Sequence, residues 1–275
     1  MKTNNKIYYL SYALTMILTL WWLTGFAQAA AEKDRAIVIR LEPNAEVQYP
    51  DEDTWISAWP GMELREGDIV RCSGNGSMDI AFSDGSLLSI MPGTSICLPI
   101  LHVDKEKNFI NRSIRLFKGI LNAIVEKTNG SNKNYTVSTR TVVAGIRGTR
   151  FTLLSADEQS SHVAVYEGSI EIHSPQFPED VIVLEEGYEA QVANGERPRA
   201  PSKMGAEMEQ YNLEMKRLEE QRTLMRDTVE DFFRKRYEEK RLYMNPEDKA
   251  RPPETKSLYL QPESGPGYRK KFRYP

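Results

Sequence analysis

The stretch AGIRGTRF, residues 144–151, places two glycines and two arginines between two strand-like runs. Exposed N–H groups near Gly145 and Gly148, together with the Arg147 side chain, are a combination that can bind an anion. Phosphate loops of this kind usually lead into a helix that adds further donors, whereas a strand-like run, RFTLLS, follows here. We therefore interpret Gly145, Arg147, Gly148 and Thr149 as a structural corner, with Arg147 reaching carbonyl groups or a carboxylate.

Trp55 and Trp59 are the residues best suited to binding a ligand by stacking. They lie four positions apart beside Pro60, and their rings could form a platform for a sugar or a peptidoglycan strand. Tryptophan is equally suited to closing the mouth of a β-sandwich. Both interpretations stay open at the level of sequence.

The sequence gives little support for catalysis. His102, His162 and His173 lie in strand or turn contexts without a paired carboxylate, and no nucleophile elbow, HExxH motif or P-loop is present. The acidic run 51–53 supplies consecutive oxygens, whereas calcium loops use alternating ones. We predict a protein that is not an enzyme and that has no cofactor or metal.

Cys72 and Cys97 are the only cysteines, and both lie in strand-like segments. In an exported protein they could form a disulfide. Two buried free thiols, acting as small hydrophobic groups, are the alternative. Their Cα separation decides between the two, and sequence does not provide it.

The first thirty residues predict export. Lys2 and Lys6 precede an apolar run, and AQAA offers a cleavage site after Ala29 or Ala30. An uncleaved inner-membrane anchor is the alternative. We expect a periplasmic or secreted protein, and a net charge of −3 over 275 residues gives no indication of a nucleic-acid partner.

Residues 35–195 predict an all-β domain. Ten or more short alternating runs follow one another, separated by turn residues, and Asp84-Gly85 marks a hairpin. This pattern is typical of a β-sandwich or jelly roll.

A different pattern begins at Ser202, which we predict as the N-cap of a long amphipathic helix over 202–244. Its apolar seam either docks on the β domain or forms a coiled coil and a weak homo-oligomer, and the methionine-rich composition favours docking. The seam comprises Met204, Met208, Tyr211, Met215, Leu218, Arg222, Met225, Val229, Phe232 and Arg236. Residues 245–275 predict a disordered, Pro-rich tail with a basic, aromatic end.

Several motifs in order resemble the FecR domain across about residues 55–192. They are GMELREGDIV, the Asp-Gly-Ser hairpin, RLFKGI, the corner TRTVVAGIRGTRF and the hairpin VAVYEGSIEI. The resemblance implies an all-β extracytoplasmic domain that senses or binds and does not catalyse.

The founding members of that family relay the occupancy of an outer-membrane transporter to a cytoplasmic sigma factor. Only residues 1–7 precede the apolar run, so we expect a stand-alone form without the cytoplasmic anti-sigma region. The leading hypothesis is a non-catalytic scaffold or signalling module that contacts an envelope protein. Binding of polysaccharide or peptidoglycan through Trp55 and Trp59 is the alternative.

Overall fold

The computed structural model describes residues 34–104, 109–127 and 132–243, and for residues 132 and 236–243 it describes the backbone only. The predicted signal peptide, 1–30, and the predicted tail, 245–275, lie outside these residues.

Within this part of the chain the backbone forms seventeen strands. They are β1 (Ala36–Leu41), β2 (Ala45–Gln48), β3 (Ile56–Ser57), β4 (Glu63–Leu64), β5 (Ile69–Cys72), β6 (Met78–Phe82), β7 (Leu87–Ile90), β8 (Ser95–Asp104), β9 (Phe109–Ile124), β10 (Asn132–Ser138), β11 (Val143–Ile146), β12 (Arg150–Ser155), β13 (Ser160–Glu167), β14 (Ser169–Ser174), β15 (Phe177–Glu185), β16 (Tyr188–Ala193) and β17 (Ser202–Lys203).

The strand pairings define two sheets. Sheet A has the order β3-β2-β5-β8-β9-β10-β11-β14-β15, and its β9–β10 pair is parallel. Sheet B has the order β4-β1-β6-β7-β9-β12-β13-β16-β17 and is antiparallel throughout. The prediction of a mainly β fold followed by one long helix is confirmed.

Strand β9 belongs to both sheets. Its first part, up to Lys118, pairs in sheet A, and its last part, from Gly119 to Ile124, pairs in sheet B. Gly119 has a φ of +98°, and a Cβ there would lie 2.5 Å from the Cα of Thr94. Only glycine combines this conformation with so close an approach, so it allows β9 to change sheet.

The main hydrophobic core contains buried side chains from both sheets. Members such as Val70 and Ile114 of sheet A are grouped with Leu88 and Phe151 of sheet B, all of them fully buried. Side chains of alternate residues point to one face of a strand, so the inward positions of β9 are 112, 114 and 116, which are buried while 115 and 117 are exposed.

Two helices follow the strands: α1 (Ala206–Glu209) and α2 (Asn212–Tyr243). The predicted N-cap, Ser202, belongs instead to β17, where it pairs with Glu189. The N-cap of α1 is Gly205, whose N–H donates to Glu189 Oε2 over 3.1 Å. The prediction of a helix from Ser202 was wrong at its start because pairing with β16 holds the chain extended there.

Helix α2 packs on the outer face of sheet B. Its Met215, Leu218 and Val229 are buried in a second apolar cluster with β-strand side chains that include Ile37 and Leu87. The seam predicted from sequence therefore docks on the β domain, and it is not free to form a coiled coil in this arrangement. The strands of sheet B that lie under α2 are consequently buried on both faces, and all residues of β6 and β7 are buried.

Candidate interaction surface

The corner predicted at residues 145–149 is the crossing between the two sheets. The chain leaves sheet A at the end of β11 and enters sheet B at the start of β12. Gly148 has a φ of +64°, and the buried Thr149 donates its hydroxyl to the carbonyl of Ser169 over 2.8 Å. This hydrogen bond joins the corner to the start of β14.

Arg147 does not stabilise this corner, contrary to the expectation from sequence. Its side chain is exposed, and no described residue forms an ion pair or hydrogen bond with the guanidinium. Gly145 is also not required by the backbone, since its φ is not positive and a Cβ there would meet only Glu171 O at 3.9 Å. The corner therefore depends on the backbone conformation of Gly148 and on the hydrogen bond of Thr149.

The two tryptophans lie in different environments. The guanidinium carbon of Arg71 lies 3.8 Å from the ring centroid of Trp55 and covers one face of that ring. Trp59 is 50% exposed. The predicted platform therefore has one half-exposed ring and one ring that is already stacked under an arginine.

Cys72 and Cys97 are free thiols on neighbouring strands. Ile69 is the residue that pairs with Cys97, so Cys72 lies three positions further along β5 and points to the opposite face. That offset is about 10 Å along a strand, which exceeds the Cα separation of a disulfide. Burial raises the pKa of Cys72 to about 12. The disulfide alternative is therefore excluded in this fold.

A polar cluster in the interior surrounds Arg112, which is fully buried. Arg112 Nε donates to Asp34 Oδ2 over 2.8 Å, and Nη1 donates to Asp84 Oδ1 over 2.5 Å. Lys133 Nζ donates to Asp84 Oδ2 over 2.7 Å. The cluster therefore contains two cations and two carboxylates, and its charges balance.

The charges in this cluster come from opposite sheets. Arg112 and Lys133 lie on β9 and β10 of sheet A, whereas Asp34 precedes β1 and Asp84 lies in the β6–β7 hairpin of sheet B. Burial disfavours the Asp84 carboxylate, but Arg112 and Lys133 hold the pKa of Asp84 well below its ordinary value. The cluster is therefore an electrostatic tie between the sheets.

The motifs considered above did not predict this cluster, although the strand pattern carries a signal for it. Arg112 has the same parity as Ile114 and Leu116, which are inward positions of an alternating strand. An arginine in the inward phase indicates a buried cation, and a buried cation requires carboxylate partners.

A second charged cluster fixes helix α2 to sheet B. The Asp79 side chain is fully buried and accepts hydrogen bonds from Arg40 Nε over 2.6 Å and from Arg217 Nη1 over 2.9 Å. Arg222 of α2 also pairs with Glu126, the residue two positions after β9. These contacts stabilise the docked helix.

Between α2 and the β6–β7 hairpin lies a cavity of about 180 Å³ lined by charged and apolar side chains, Asp84, Arg222, Met225 and Val229 among them. Small-molecule sites usually enclose about 300–1,000 Å³, so this cavity is too small to indicate one.

The described residues contain no cluster of His, Cys, Asp and Glu arranged to hold a metal. Among the helices the structure describes, none has the length and apolarity that a bilayer crossing requires.

Among the described residues, strand β15 forms one end of sheet A, and its outer edge is open. It has nine residues, and among these residues it pairs only with β14, so its other edge carries unpaired backbone groups. The other three terminal strands of the two sheets, β3, β4 and β17, have two residues each. A long open edge is a template for an added strand.

The outer face of β15 is apolar at its centre and acidic around it. Val181 and Val183 are 48% and 52% exposed, whereas Leu184 points into the core. Glu179 and Glu185 flank the valines on the same face and are exposed. A partner strand that matches this face would combine apolar contact with positive charge.

Part of the chain matches a known protein family, and two solved structures are similar to the chain. Residues 68–171 match the family model described as FecR protein. Two crystal structures of a "putative anti-sigma factor" from Parabacteroides distasonis are similar to this chain. The 1.65 Å structure has a TM-score of 0.42 and 18% identity over 53% of this chain and 64% of that chain. The 2.50 Å structure has a TM-score of 0.41 and 19% identity over 50% of this chain and 61% of that chain.

This chain therefore spans less than two thirds of the length of either structure. No protein of curated description matches the sequence.

Proposed function

We propose that this chain, which carries a FecR domain at residues 68–171, is a non-catalytic module that acts in signalling or scaffolding through protein contacts. The family match supports a regulatory role. The charges around Arg112 also support the absence of catalysis, since the two cations and the two carboxylates are paired with one another.

The open edge of β15 is the observation that carries the proposal. Proteins commonly recognise an extended segment by adding it to a free sheet edge, where main-chain hydrogen bonds give affinity and side chains give specificity. The edge has nine residues, which is long enough to pair with a whole strand of a partner. We assign the partner contact to β15 and to Val181 and Val183 beside it.

We further propose that the module acts in the cell envelope, on the periplasmic side or after secretion. The basis is the sequence of residues 1–30, with its two lysines, its apolar run and its small-residue site. Cell fractionation and determination of the mature N-terminus test this location. An N-terminus at Met1 together with recovery in the cytosol would contradict it.

Crosslinking from β15 tests the proposed contact. A photoreactive residue placed at Val181 or Val183 of the full chain should give a defined adduct with a partner in intact cells. Val181→Lys combined with Val183→Lys should abolish that adduct when the crosslinker is at Glu179, because an edge lysine disfavours pairing of apolar strands.

Phe117 provides the matched control, since it is 44% exposed on β9, an interior strand of sheet A. A crosslinker at Phe117 should not give the adduct, and Phe117→Lys should leave the adduct from Glu179 unchanged. If β15 and Phe117 positions give the same adducts, or if β15 gives none, the proposal is wrong.

Glycan binding is a second candidate, favoured by the half-exposed ring of Trp59. Sedimentation of the protein with purified cell wall tests it. Trp59→Ala should abolish sedimentation, and Trp55→Ala should weaken it by removing the neighbouring ring. Sedimentation that persists in both variants would exclude the platform.

A further inference from the structure

The three carboxylates around the valines of β15 have no partner among the described residues. Glu179 and Glu185 lie on β15 itself, and Glu171 of β14 lies directly across from Val183. All three are exposed, and none forms an ion pair or hydrogen bond with a described residue. They differ from the neighbouring Asp180, whose carboxylate is paired with Arg197. The outer face of this edge is therefore an uncompensated acidic patch around two valines.

A second copy of the same edge does not complement this patch. Pairing two β15 strands would place a second set of carboxylates against the first, and like charges opposite one another destabilise a strand pair. The occupant that fits is an extended segment with basic side chains on one face and apolar side chains on the other.

The chain itself contains such a segment at residues 268–274, with the sequence YRKKFRY. In an extended conformation Arg269, Lys271 and Arg273 share one face. The other face carries three aromatic residues, Tyr268, Phe272 and Tyr274, together with Lys270. The segment therefore has the two-faced pattern that the acidic edge requires.

We infer that residues 268–274 add to the open edge of β15 as an extra strand of the same molecule, with their basic face on Glu171, Glu179 and Glu185. The apolar stems of the arginines and the lysine lie along Val181 and Val183, while their charged ends reach the carboxylates. The aromatic face then covers Ile182, which is only partly buried at the margin of the core.

The chain between the helix and this segment is long enough for the contact. Residues 244–267 follow the end of α2 at Tyr243, and 24 extended residues reach roughly 80 Å. A domain of this size has a radius of gyration of about 15 Å, so every part of its surface lies within that reach.

The docking itself needs no other protein, but its consequence for regulation rests on the proposed function. A partner that adds to β15 must first displace residues 268–274. The segment therefore acts as an internal competitor, and a partner with a weaker basic or apolar pattern is excluded.

Hydrogen–deuterium exchange of the purified full chain tests the docking without any partner. In the parent protein the amides of β15 should be protected. Arg269→Glu, Lys271→Glu and Arg273→Glu together should accelerate their exchange by about tenfold, since the strand edge returns to solvent. Salt at 1 M, where the Debye length is about 3 Å, should accelerate exchange in the parent but not in the variant.

A matched control reverses three charges elsewhere in the same part of the chain, at Lys249, Arg251 and Lys256. These changes should leave β15 exchange as in the parent. A charge swap, in which Glu171→Lys, Glu179→Lys and Glu185→Lys accompany the three reversals at 269, 271 and 273, should restore protection.

Equal β15 exchange in the parent and the 269/271/273 variant would overturn the proposal, as would equal acceleration by the control variant. Protection that falls on dilution would also overturn it, because a second copy would then supply the segment. These outcomes leave the crosslinking test of the proposed function unaffected, since that test detects a partner in cells.

Discussion

Sheet A and sheet B each contain nine of the described strands when the shared β9 is counted in both. Their end strands and their outer faces differ. Sheet B has short strands at its ends, β4 and β17, and α2 covers the part of its outer face formed by β1, β6, β7 and β9. Sheet A has no helix among the described residues on its outer face, and it ends in the nine-residue β15.

Under the proposed function, the difference separates stability from recognition within one domain. Sheet B contributes buried apolar area on two faces and takes the ion pairs that fix α2. Sheet A carries its buried apolar contacts on its inner face, whereas its outer face has no helix over it and its β15 edge is unpaired among the described residues. Substitutions of similar size should therefore have large effects on stability at sheet B and small effects at the outer face of sheet A.

The largest effect is expected at the tie between the sheets. Asp84→Asn removes the carboxylate that binds Arg112 and Lys133, so the free energy of unfolding should fall by about 3–5 kcal/mol. Because Arg112 and Lys133 lower the folded-state pKa of Asp84, its stabilisation is fully present above the ordinary aspartate pKa of about 3.9. It is lost progressively as pH falls below that value towards the lower folded-state pKa. Urea unfolding at pH 7, 5, 4 and 3 should show a flatter acid dependence in the variant.

Asp180→Asn is the matched control on the open side, since Asp180 pairs with Arg197 at the surface. Its effect should stay below about 1 kcal/mol, as is usual for exposed ion pairs. Equal losses for Asp84→Asn and Asp180→Asn would mean that the buried tie is not what joins the sheets.

The next largest effect is expected on the covered face of sheet B, and the open face of sheet A provides the comparison. Leu218→Ala removes a fully buried side chain of α2 and should cost about 2–4 kcal/mol in unfolding free energy. Val183→Ala on β15 should change it by less than about 0.5 kcal/mol. Denaturant titration of both variants gives the two values, and a cost at Val183 as large as that at Leu218 would remove the distinction between the faces.

The smallest effects lie at the corner where the chain crosses from sheet A to sheet B. Gly148→Ala should cost about 1–3 kcal/mol, because a side chain at φ of +64° is strained and its Cβ would lie 2.0 Å from Lys127 Cγ. Arg147→Ala, next to it, should change unfolding free energy by less than about 0.5 kcal/mol. Thermal unfolding of the pair checks both. A larger loss for Arg147→Ala would restore the role that sequence had indicated for this arginine.

The elements of this fold were predictable where the signal is local. The alternation of apolar and polar residues predicted the strands. Asp84-Gly85 predicted the β6–β7 hairpin, because a glycine at that position accepts a positive φ. The helical seam was predictable from its spacing. Its preference for docking followed from Met208, Met215 and the arginines within it, which suit a coiled coil poorly.

Long-range pairing was what the sequence did not reveal. The inward phase of Arg112 indicates a buried cation, but nothing local identifies Asp34, 78 positions away, as its partner. The start of the helix was misplaced because β16, not Ser202 itself, decides the conformation of residues 202–203. Pro178 was the one local indication that β15 is an edge strand, since proline within a sheet is confined to edge strands, strand starts and bulges.

The passage of β9 through both sheets bears on how the molecule unfolds. Its first ten residues are hydrogen-bonded to β8 and β10, and its last six to β7 and β12. Neither sheet can lose β9 and keep its order of strands, so the β domain should melt as one cooperative unit, with equal calorimetric and van't Hoff enthalpies. The matched region 68–171 is smaller than this unit, since it omits β1 and β16, which pair with β6 and β13.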